Sequence, residues 1–298
     1  MNANIKRALR GVCRFGLRRF LSDKPYLKVR YRLEMGRKLD LRNPETMNEK
    51  LQWLKLNNRY AGMSEIVDKI KVKDIVAEKI GSEYVIPTLA VWNNADDINV
   101  SALPERFVVK TNHSGGNLGV FVCKDKNGLD LNLLKSRMRR SLKDDIYWNF
   151  AEWPYKNVVP TIFAEECIAD NPVDYKFYCF NGEVDSVMLC LDRETGHPKF
   201  YFFDKDWNLC RYNKLGKAAP EGFTIPKPEG MDRMFEIASK LSEGHPFLRV
   251  DLYNVEGKIY FGEMTFYPAG GFDGNRLRDT DLYFGSKIDL SLARHEVD

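Results

Sequence analysis

The sequence predicts an α+β protein, helical over its first 80 residues and then built of antiparallel strands with helices laid on one face. Three observations lead there. Apolar residues recur at helical spacing as far as Ile80, and beyond it short β-branched and aromatic runs alternate with turn residues. Asn181-Gly182, between two such runs, is the dipeptide that closes a tight antiparallel hairpin. Finally, 298 residues of which 44% are hydrophobic can bury a substantial core.

In chain order, Ile5, Leu9, Val12, Leu17 and Phe20 recur at near-helical spacing among Lys6, Arg7, Arg10, Arg14, Arg18 and Arg19. Residues 1–42 hold thirteen Lys/Arg against Asp23, Glu34 and Asp40, so this segment carries +10 and the remainder −6 within a net charge of +4. Such a basic amphipathic helix either lies on an anionic surface, making peripheral contact with the inner membrane, or packs on the body by its apolar stripe. No nucleic-acid-binding module accompanies the patch, so nucleic acid is not an expected partner. Asn43-Pro44 reads as a helix start, with Met47, Leu51 and Leu54 on one face. Ser64 reads as the cap of a second helix that runs to about Ile80 and stops at Gly81. Strands follow at 84–92, 107–111, 120–123, 161–165, 176–181, 184–191 and 200–203, then a pair at 247–253 and 258–266. Helices are predicted over 131–142 and about 231–242.

No apolar run approaches the roughly 20 residues of a membrane span, and the N-terminus lacks a secretory core, so a cytoplasmic location is expected. The six cysteines, without a C-x-x-C pair, read as reduced, buried thiols. With four histidines, a histidine-rich metal site is not expected. Neither a G-x-S-x-G elbow nor a Cys/His signature is present, so no dedicated nucleophile is expected.

Two segments carry chemistry. In Phe107-Val-Val-Lys110-Thr-Asn-His-Ser114-Gly115-Gly116-Asn-Leu-Gly119-Val, an apolar strand ends in a lysine, a glycine-rich turn follows, and a second apolar strand begins. Glycine lets backbone N–H groups approach an anion closely, but glycine also serves ordinary tight turns, and the loop alone leaves both readings open. The second segment is the pair Arg249-Val-Asp251 and Gly262-Glu263-Met-Thr265. With Val255-Glu256-Gly257 as a three-residue loop, Asn254 pairs with Lys258, Arg249 sits opposite Glu263, and Arg249, Asp251, Glu263 and Thr265 share one face. Two converging carboxylates suit Mg²⁺, which takes oxygen ligands and leaves positions for phosphate. A cross-strand salt bridge beside a solvated Asp is the alternative.

In order and wording these motifs resemble the ATP-grasp superfamily, and within it the TupA-like branch associated with teichuronopeptide and capsular polysaccharide synthesis. The resemblance covers roughly residues 60–290 and rests on an early lysine, a strand lysine before a glycine-rich loop, a strand-end glutamate, a further acid, and a late Arg-x-Asp followed by Glu. It implies two α+β lobes whose antiparallel sheets clasp the nucleotide, one at 61–167 with the glycine loop and one at 168–298 with the metal-binding hairpin, preceded by a basic helical segment, 1–60. It implies ATP and Mg²⁺ as cofactors. Lys110 and Lys73, with Lys69 a second candidate for the latter role, would contact phosphates under a loop of Ser114, Gly115, Gly116 and Gly119. Glu165, with Glu166 beside it, would meet the adenine, Asp174 the ribose, and Lys176 a further phosphate. Asp251 and Glu263 would hold magnesium, with Thr265 where the superfamily has Asn, and Arg249 would stabilise the transferring phosphoryl group and the acyl-phosphate oxyanion. Ala269-Gly-Gly271 would lend backbone N–H groups to that oxyanion.

The activity so implied joins a carboxylate to an amine with release of ADP. The expected substrates are a carboxylated sugar or glycan and an amino acid or amine. Trp148, Trp153, Tyr155, Tyr201 and Trp207 offer either aromatic surfaces for such a glycan or, as such residues more often do, parts of the core. Two other classes stay open: a glycosyltransferase using Asp204-Lys-Asp206 as its metal motif, and a non-catalytic nucleotide-binding assembly protein.

Overall fold

The computed structural model describes residues 17–115, 118–192 and 195–296. The basic helix expected at the N-terminus and Gly116 lie outside them, apart from a short 3-10 turn at Leu17–Arg19. Helix α1 (Asp23–Met35) buries Tyr26, Leu27 and Tyr31 in a small separate core with Leu39 and Ala151.

Helix α2 (Met47–Asn57) starts at Thr46 rather than at Asn43-Pro44. The Thr46 hydroxyl accepts from Glu49 N–H while the Glu49 carboxylate accepts from Thr46 N–H, and this reciprocal cap satisfies two otherwise orphaned donors. The single helix expected from Ser64 is two, α3 (Gly62–Val67) and α4 (Val72–Ile80). Asp68 breaks it, its carboxylate accepting from the N–H groups of Ile70 and Lys71 and so offering the backbone a turn instead. The stop at Gly81, with φ 117°, is as expected.

The first sheet contains β1 (Thr88–Trp92), β2 (Phe107–Thr111), β3 (Val120–Cys123) and β4 (Ile162–Glu166) in the order β1-β4-β2-β3. Helix α5 (Leu131–Ser141) covers one side through Leu134 and Met138, and the short α6 (Ile146–Phe150) follows it. The second sheet contains β5 (Asp174–Phe180), β6 (Glu183–Leu191), β7 (Lys199–Phe203), β8 (Leu209–Cys210), β9 (Phe247–Val255) and β10 (Lys258–Thr265) in the order β10-β9-β5-β6-β7-β8. Both sheets are antiparallel. Asn181 and Gly182, both left-handed, close the β5–β6 hairpin as the dipeptide requires.

Alternation divides β5 cleanly. Phe177 and Cys179 pack against α8 (Met231–Ser242), where Phe177 meets Phe235 edge-on with ring centroids 5.1 Å apart, an arrangement worth about 0.5–1.5 kcal/mol beyond area burial. Met63, Val67, Val72 and Val76 join this same core, so the helices assigned to the small lobe pack with the six-stranded sheet and not with the four-stranded one. Asp174, Lys176 and Tyr178 occupy the other face of β5, and they line a cavity. Helices α7 (Lys214–Ala218) and α9 (Arg278–Lys287) complete the fold. Among the described residues no helix is long and apolar enough to cross a membrane, and Cys123, Cys167, Cys179, Cys190 and Cys210 are free thiols.

The acidic hairpin has a different register from the one expected. Its turn is two residues, Glu256 and Gly257, both with positive φ, and Val255 pairs with Lys258. That shift by one would turn Glu263 and Thr265 to the opposite face from Asp251. A bulge at Gly262 shifts the register once more, so Glu263 pairs with Asp251 and Thr265 with Arg249, and the four residues do share a face.

Candidate active site

A cavity of about 540 Å³ opens between the sheets. Its floor is the six-stranded sheet: Asp174, Lys176 and Tyr178 from β5, Met188 and Cys190 from β6, Phe200 and Phe202 from β7, Arg249, Asp251 and Tyr253 from β9, and Glu263 from β10. Its roof is Lys110 at the end of β2, Ser114 in the loop and Val120 at the start of β3, with Lys69 beside them. A second cavity of about 500 Å³ shares Lys110, Val120, Cys190 and Tyr253 with the first. It is a largely apolar slot lined by Val108, Val120 and Val122 from the first sheet, by Tyr253, Cys190 and Leu191 from the second, and by the 166–173 segment, with Glu165 and Glu166 in its wall.

Arg249 organises the floor. Its Nε and Nη2 grip both oxygens of Asp251 at 2.6 and 2.7 Å, and Nη2 also reaches Glu263 Oε1 at 3.0 Å and Thr265 Oγ1 at 3.1 Å. Lys176 Nζ lies between Asp251 and Asp174, 2.6 Å from the latter. Burial pushes the Asp251 carboxyl up to about 6 against the pull of Arg249 and Lys176. Burial opposes ionisation of Glu263 too, but Lys69 and Arg249 hold its carboxyl well below the ordinary range. Lys176 is pulled down by burial and raised more strongly by Asp251 and Asp174.

The roof is built around Glu165, whose carboxylate is clasped by Lys110 and, at 3.2 Å, by Lys73. Burial would raise Glu165, and the two lysines bring it below its usual range. Lys73 also donates to Ile86 O and Thr88 Oγ1, both at 2.8 Å, which turns it toward a side slot between β4 and β10 and away from the main cavity. Lys69 joins roof to floor: its Nζ donates to Ser114 O at 2.9 Å and stands 3.5 Å from Glu263 Oε2.

The loop glycines divide by role. Ser114 turns its hydroxyl inward onto Thr111 Oγ1 and Ser141 Oγ, at 2.7 and 2.6 Å, so it faces the cavity with its backbone. Gly119 packs against that hydroxyl cluster, and a Cβ there would stand 2.5 Å from Ser114 Cβ and 2.9 Å from Ser141 Oγ. Packing, rather than approach to an anion, is what demands glycine at 119. A Cβ on Gly115 would meet only Ile146 Cδ1 at 3.7 Å.

The donor set can be weighed for magnesium. Among the described residues no three His, Cys, Asp or Glu side chains gather into a metal cage. Magnesium needs only one or two carboxylates together with nucleotide phosphates and water, and Asp251 and Glu263 provide two oxygen donors on the cavity floor. Glu263, its side chain 34% exposed, is the more available of the pair, while Asp251 is buried between two cations. Thr265 spends its hydroxyl on Arg249 and does not line the cavity.

Several lining residues escape local sequence patterns: Asn213, Asp273, Asn275 and Arg276 wall the end of the cavity opposite the slot. The aromatic surface also differs from expectation. Trp153 and Tyr201 are buried in the core, Tyr155 and Trp207 pack against it, and neither they nor Trp148 line the cavity. Alternation on β7 puts Phe200 and Phe202 there instead, on the face opposite Tyr201. Asp204 and Asp206 belong to the β7–β8 turn, where Asp204 accepts from the backbone and side-chain N–H groups of Asn208, an ordinary turn anchor, and neither acid lines the cavity.

A family model described as TupA-like ATPgrasp matches residues 49–289. No curated protein matches the chain. Solved structures similar to it include a D-alanine–D-alanine ligase from Helicobacter pylori, with 13% identity, a TM-score of 0.46, and coverage of 83% of this chain and 68% of that one. A D-alanine–D-alanine ligase from Bacillus anthracis complexed with ATP gives 15%, 0.47, 80% and 66%. An N5-carboxyaminoimidazole synthetase from Staphylococcus aureus complexed with ADP gives 14%, 0.43, 83% and 60%. The chain thus spans about two thirds of the length of these proteins, and at such scores they add nothing to the family match. The match over 49–289 covers most of the sequence and agrees with the two facing sheets, and the chain belongs to the TupA-like ATP-grasp family.

Proposed function

We propose that the protein is an ADP-forming carboxylate–amine ligase that joins an amino acid or amine to the carboxyl group of a uronic acid in a cell-surface polysaccharide or its precursor. One observation supports this above the others: Lys69 ties the glycine loop to the acidic hairpin across a single cavity, so cations fit for a triphosphate and carboxylates fit for its metal face each other.

In this reading the apolar slot takes the nucleobase, with Glu165 and Glu166 at its edge and Asp174 toward the ribose. Lys110, Lys69 and Lys176 neutralise phosphates, and the Ser114–Gly115 backbone covers them. Asp251 and Glu263 hold magnesium, which supplies charge neutralisation at the phosphates. Arg249, preorganised by Asp251 and Glu263, faces the charge that develops as a carboxylate oxygen attacks the γ-phosphorus and ADP departs. The amine then attacks the activated carbonyl and phosphate leaves. Side chains thus position and neutralise, and no covalent nucleophile is required. Phe200 and Phe202 offer apolar faces on which a sugar ring can stack.

The test is ADP and phosphate release from purified protein with Mg-ATP, hexuronic acids and a panel of amines, with Lys110→Ala and Glu263→Gln as controls. Amide product that disappears in both variants supports the reading. Absence of acyl or amide product in the wild type, with normal ATP binding by the variants, overturns it.

A further inference from the structure

One helix face near the cavity carries polar residues where a core should be apolar. Asn48, Gln52 and Lys55 of α2 follow one another at i, i+4 and i+7 and are 1%, 0% and 0% exposed. A fully buried amide and a fully buried lysine cost free energy unless their hydrogen bonds are met. Their donors are met mostly by the backbone of one segment, with Asn48 Nδ2 also donating to Asp281 Oδ1 at 3.1 Å, while Gln52 Oε1 is left without a partner among the described residues. Asn48 exchanges two bonds with Asp273, accepting from its N–H at 3.0 Å and donating to its carbonyl at 3.2 Å. Gln52 Nε2 donates to the carbonyls of Gly271 at 2.7 Å and Gly270 at 3.1 Å. Lys55 Nζ donates to Gly270 O at 2.7 Å and to Phe150 O at 2.8 Å, over the ring of Phe272 at 4.9 Å.

The gripped segment is in an unfavourable conformation. Ala269, Gly270 and Gly271 are left-handed in succession, with φ of 52°, 63° and 68°. An alanine pays to be there. Gly271 lies so close to α2 that a Cβ would run into Gln52 Nε2, and one on Gly270 would meet Phe150. Strain of this kind persists only where the surroundings over-determine it. Here they do, because two side chains of one helix hold three carbonyl contacts on residues 270 and 271. The strained segment carries Pro268 and Ala269 into the cavity wall, on the same side as Asp273, Asn275 and Arg276 and away from the nucleobase slot.

We infer that the buried polar stripe of α2, Asn48, Gln52 and Lys55, positions the strap 268–273 as the acceptor-binding wall of the cavity. The three are positioning residues, since none of them lines the cavity. The inference rests on the ligase reading for the identity of the acceptor, a sugar carboxylate, and not for the existence of the strap. Lys55 is the group most at risk of losing its grip, because burial pushes it down to about 8. Glu152, from the segment after α6, opposes that shift, Arg30 of α1 adds to it, and Asp23 of α1 opposes it.

The test uses the full chain with Gln52→Leu and Lys55→Met, and reads three quantities. Hydrogen exchange is followed in the strap with a nonhydrolysable Mg-ATP analogue, with and without glucuronate or short oligoglucuronates. The wild type should show at least tenfold slower exchange at 269–273 with the uronate, and the variants should lose that protection while β9 and β10 exchange as before. Nucleotide affinity should stay within about twofold in both variants. In ADP release, the KM for the uronate should rise about tenfold or more while the KM for ATP stays within about twofold, a split that general destabilisation does not produce. Strap amides indifferent to uronate in the wild type, or variants with unchanged uronate protection and KM, overturn the inference. A wild type whose strap is protected but which releases no ADP with any amine overturns the ligase reading and leaves the strap assignment standing.

Discussion

The roof and the floor of the cavity solve opposite electrostatic problems. In the roof Lys73 and Lys110 clasp one buried carboxylate, Glu165, and Lys69 stands between the loop and Glu263, so cations outnumber acids there by two. In the floor Lys176 and Arg249 stand among Asp174, Asp251 and Glu263, and acids outnumber cations by one. A surplus of cations around a glycine loop attracts an anion, and a surplus of acids on a rigid sheet attracts a cation. The two surplus charges face each other across Lys69, and a metal–triphosphate complex matches both. The difference teaches where rigidity is placed: the floor is cross-braced by four contacts from one guanidinium, while the roof contributes flexible lysines and a loop.

The strongest way to break this comparison is to remove the brace. Arg249→Met leaves the buried Asp251 without its bidentate partner and removes one of the cations beside the partly exposed Glu263, and losing one member of a buried ion-pair network costs about 3–5 kcal/mol. Urea denaturation should show a loss of that size. A loss below about 1 kcal/mol would mean the floor is not held together by this residue. No roof lysine should cost as much, since Glu165 keeps a second lysine when either one is removed.

Behind the floor, burial pushes the Glu152 carboxyl up to about 7, with Lys55 and Arg249 pulling the other way. A carboxyl whose folded value lies above its unfolded one favours folding while it is protonated. Its contribution is fully present below about 4.5 and is lost as pH rises through about 7. The shift corresponds to about 3 kcal/mol. Unfolding free energy measured from pH 4.5 to 7.5 should fall by that order in the wild type, relative to Glu152→Gln, in which this component is absent. Parallel pH profiles for the two proteins would remove Glu152 from the account.

The roof is sharpened by Lys110→Ala. Losing one charge-assisted contact to a phosphate should weaken ATP binding about 10- to 100-fold by calorimetry, equivalent to about 1.4–2.8 kcal/mol. Unfolding free energy should change by about 1 kcal/mol or less, because Lys73 still pairs with Glu165. A large stability loss with unchanged ATP affinity would make Lys110 structural and reverse the roles assigned to roof and floor.

Much of this was legible in the sequence, and the exceptions have physical causes. Strands 107–111 and 120–123 and the helix 231–242 match exactly, because alternation and helical spacing are local properties. The acidic face was foreseen through a wrong register, since the turn at Glu256-Gly257 and the bulge at Gly262 each move the pairing by one and together restore the face. Helix boundaries at Thr46 and Asp68 were missed because side-chain caps outweighed the Asn-Pro and Ser signals. Arg276 and Asn213 had no local signature, and the Asn48–Gln52–Lys55 stripe had only its spacing. Their meaning depends on segments hundreds of residues apart meeting, as Asn48 meets Asp273. A polar stripe at i, i+4 and i+7 beside the apolar Met47, Leu51 and Leu54 was the one visible hint.

The smallest effect separates the two glycine roles within the roof. Gly119→Ala places a methyl against Ser114 and Ser141 in a cluster of hydroxyls already in contact, and such overpacking costs about 1–3 kcal/mol. Gly115→Ala meets only an ordinary contact with Ile146, and its backbone carries no positive φ among the described glycines, so its cost should stay within about 0.5 kcal/mol. Thermal unfolding of the two variants side by side measures the difference. If both are equally stable, the packing explanation for Gly119 fails, and its glycine must instead serve the approach of a ligand. If Gly115→Ala keeps its stability yet binds ATP tenfold more weakly, the anion-facing part of the loop is confined to its first glycines. The roof would then divide as the floor does, into a rigid brace at Thr111, Ser114, Ser141 and Gly119 and a binding tip beyond it.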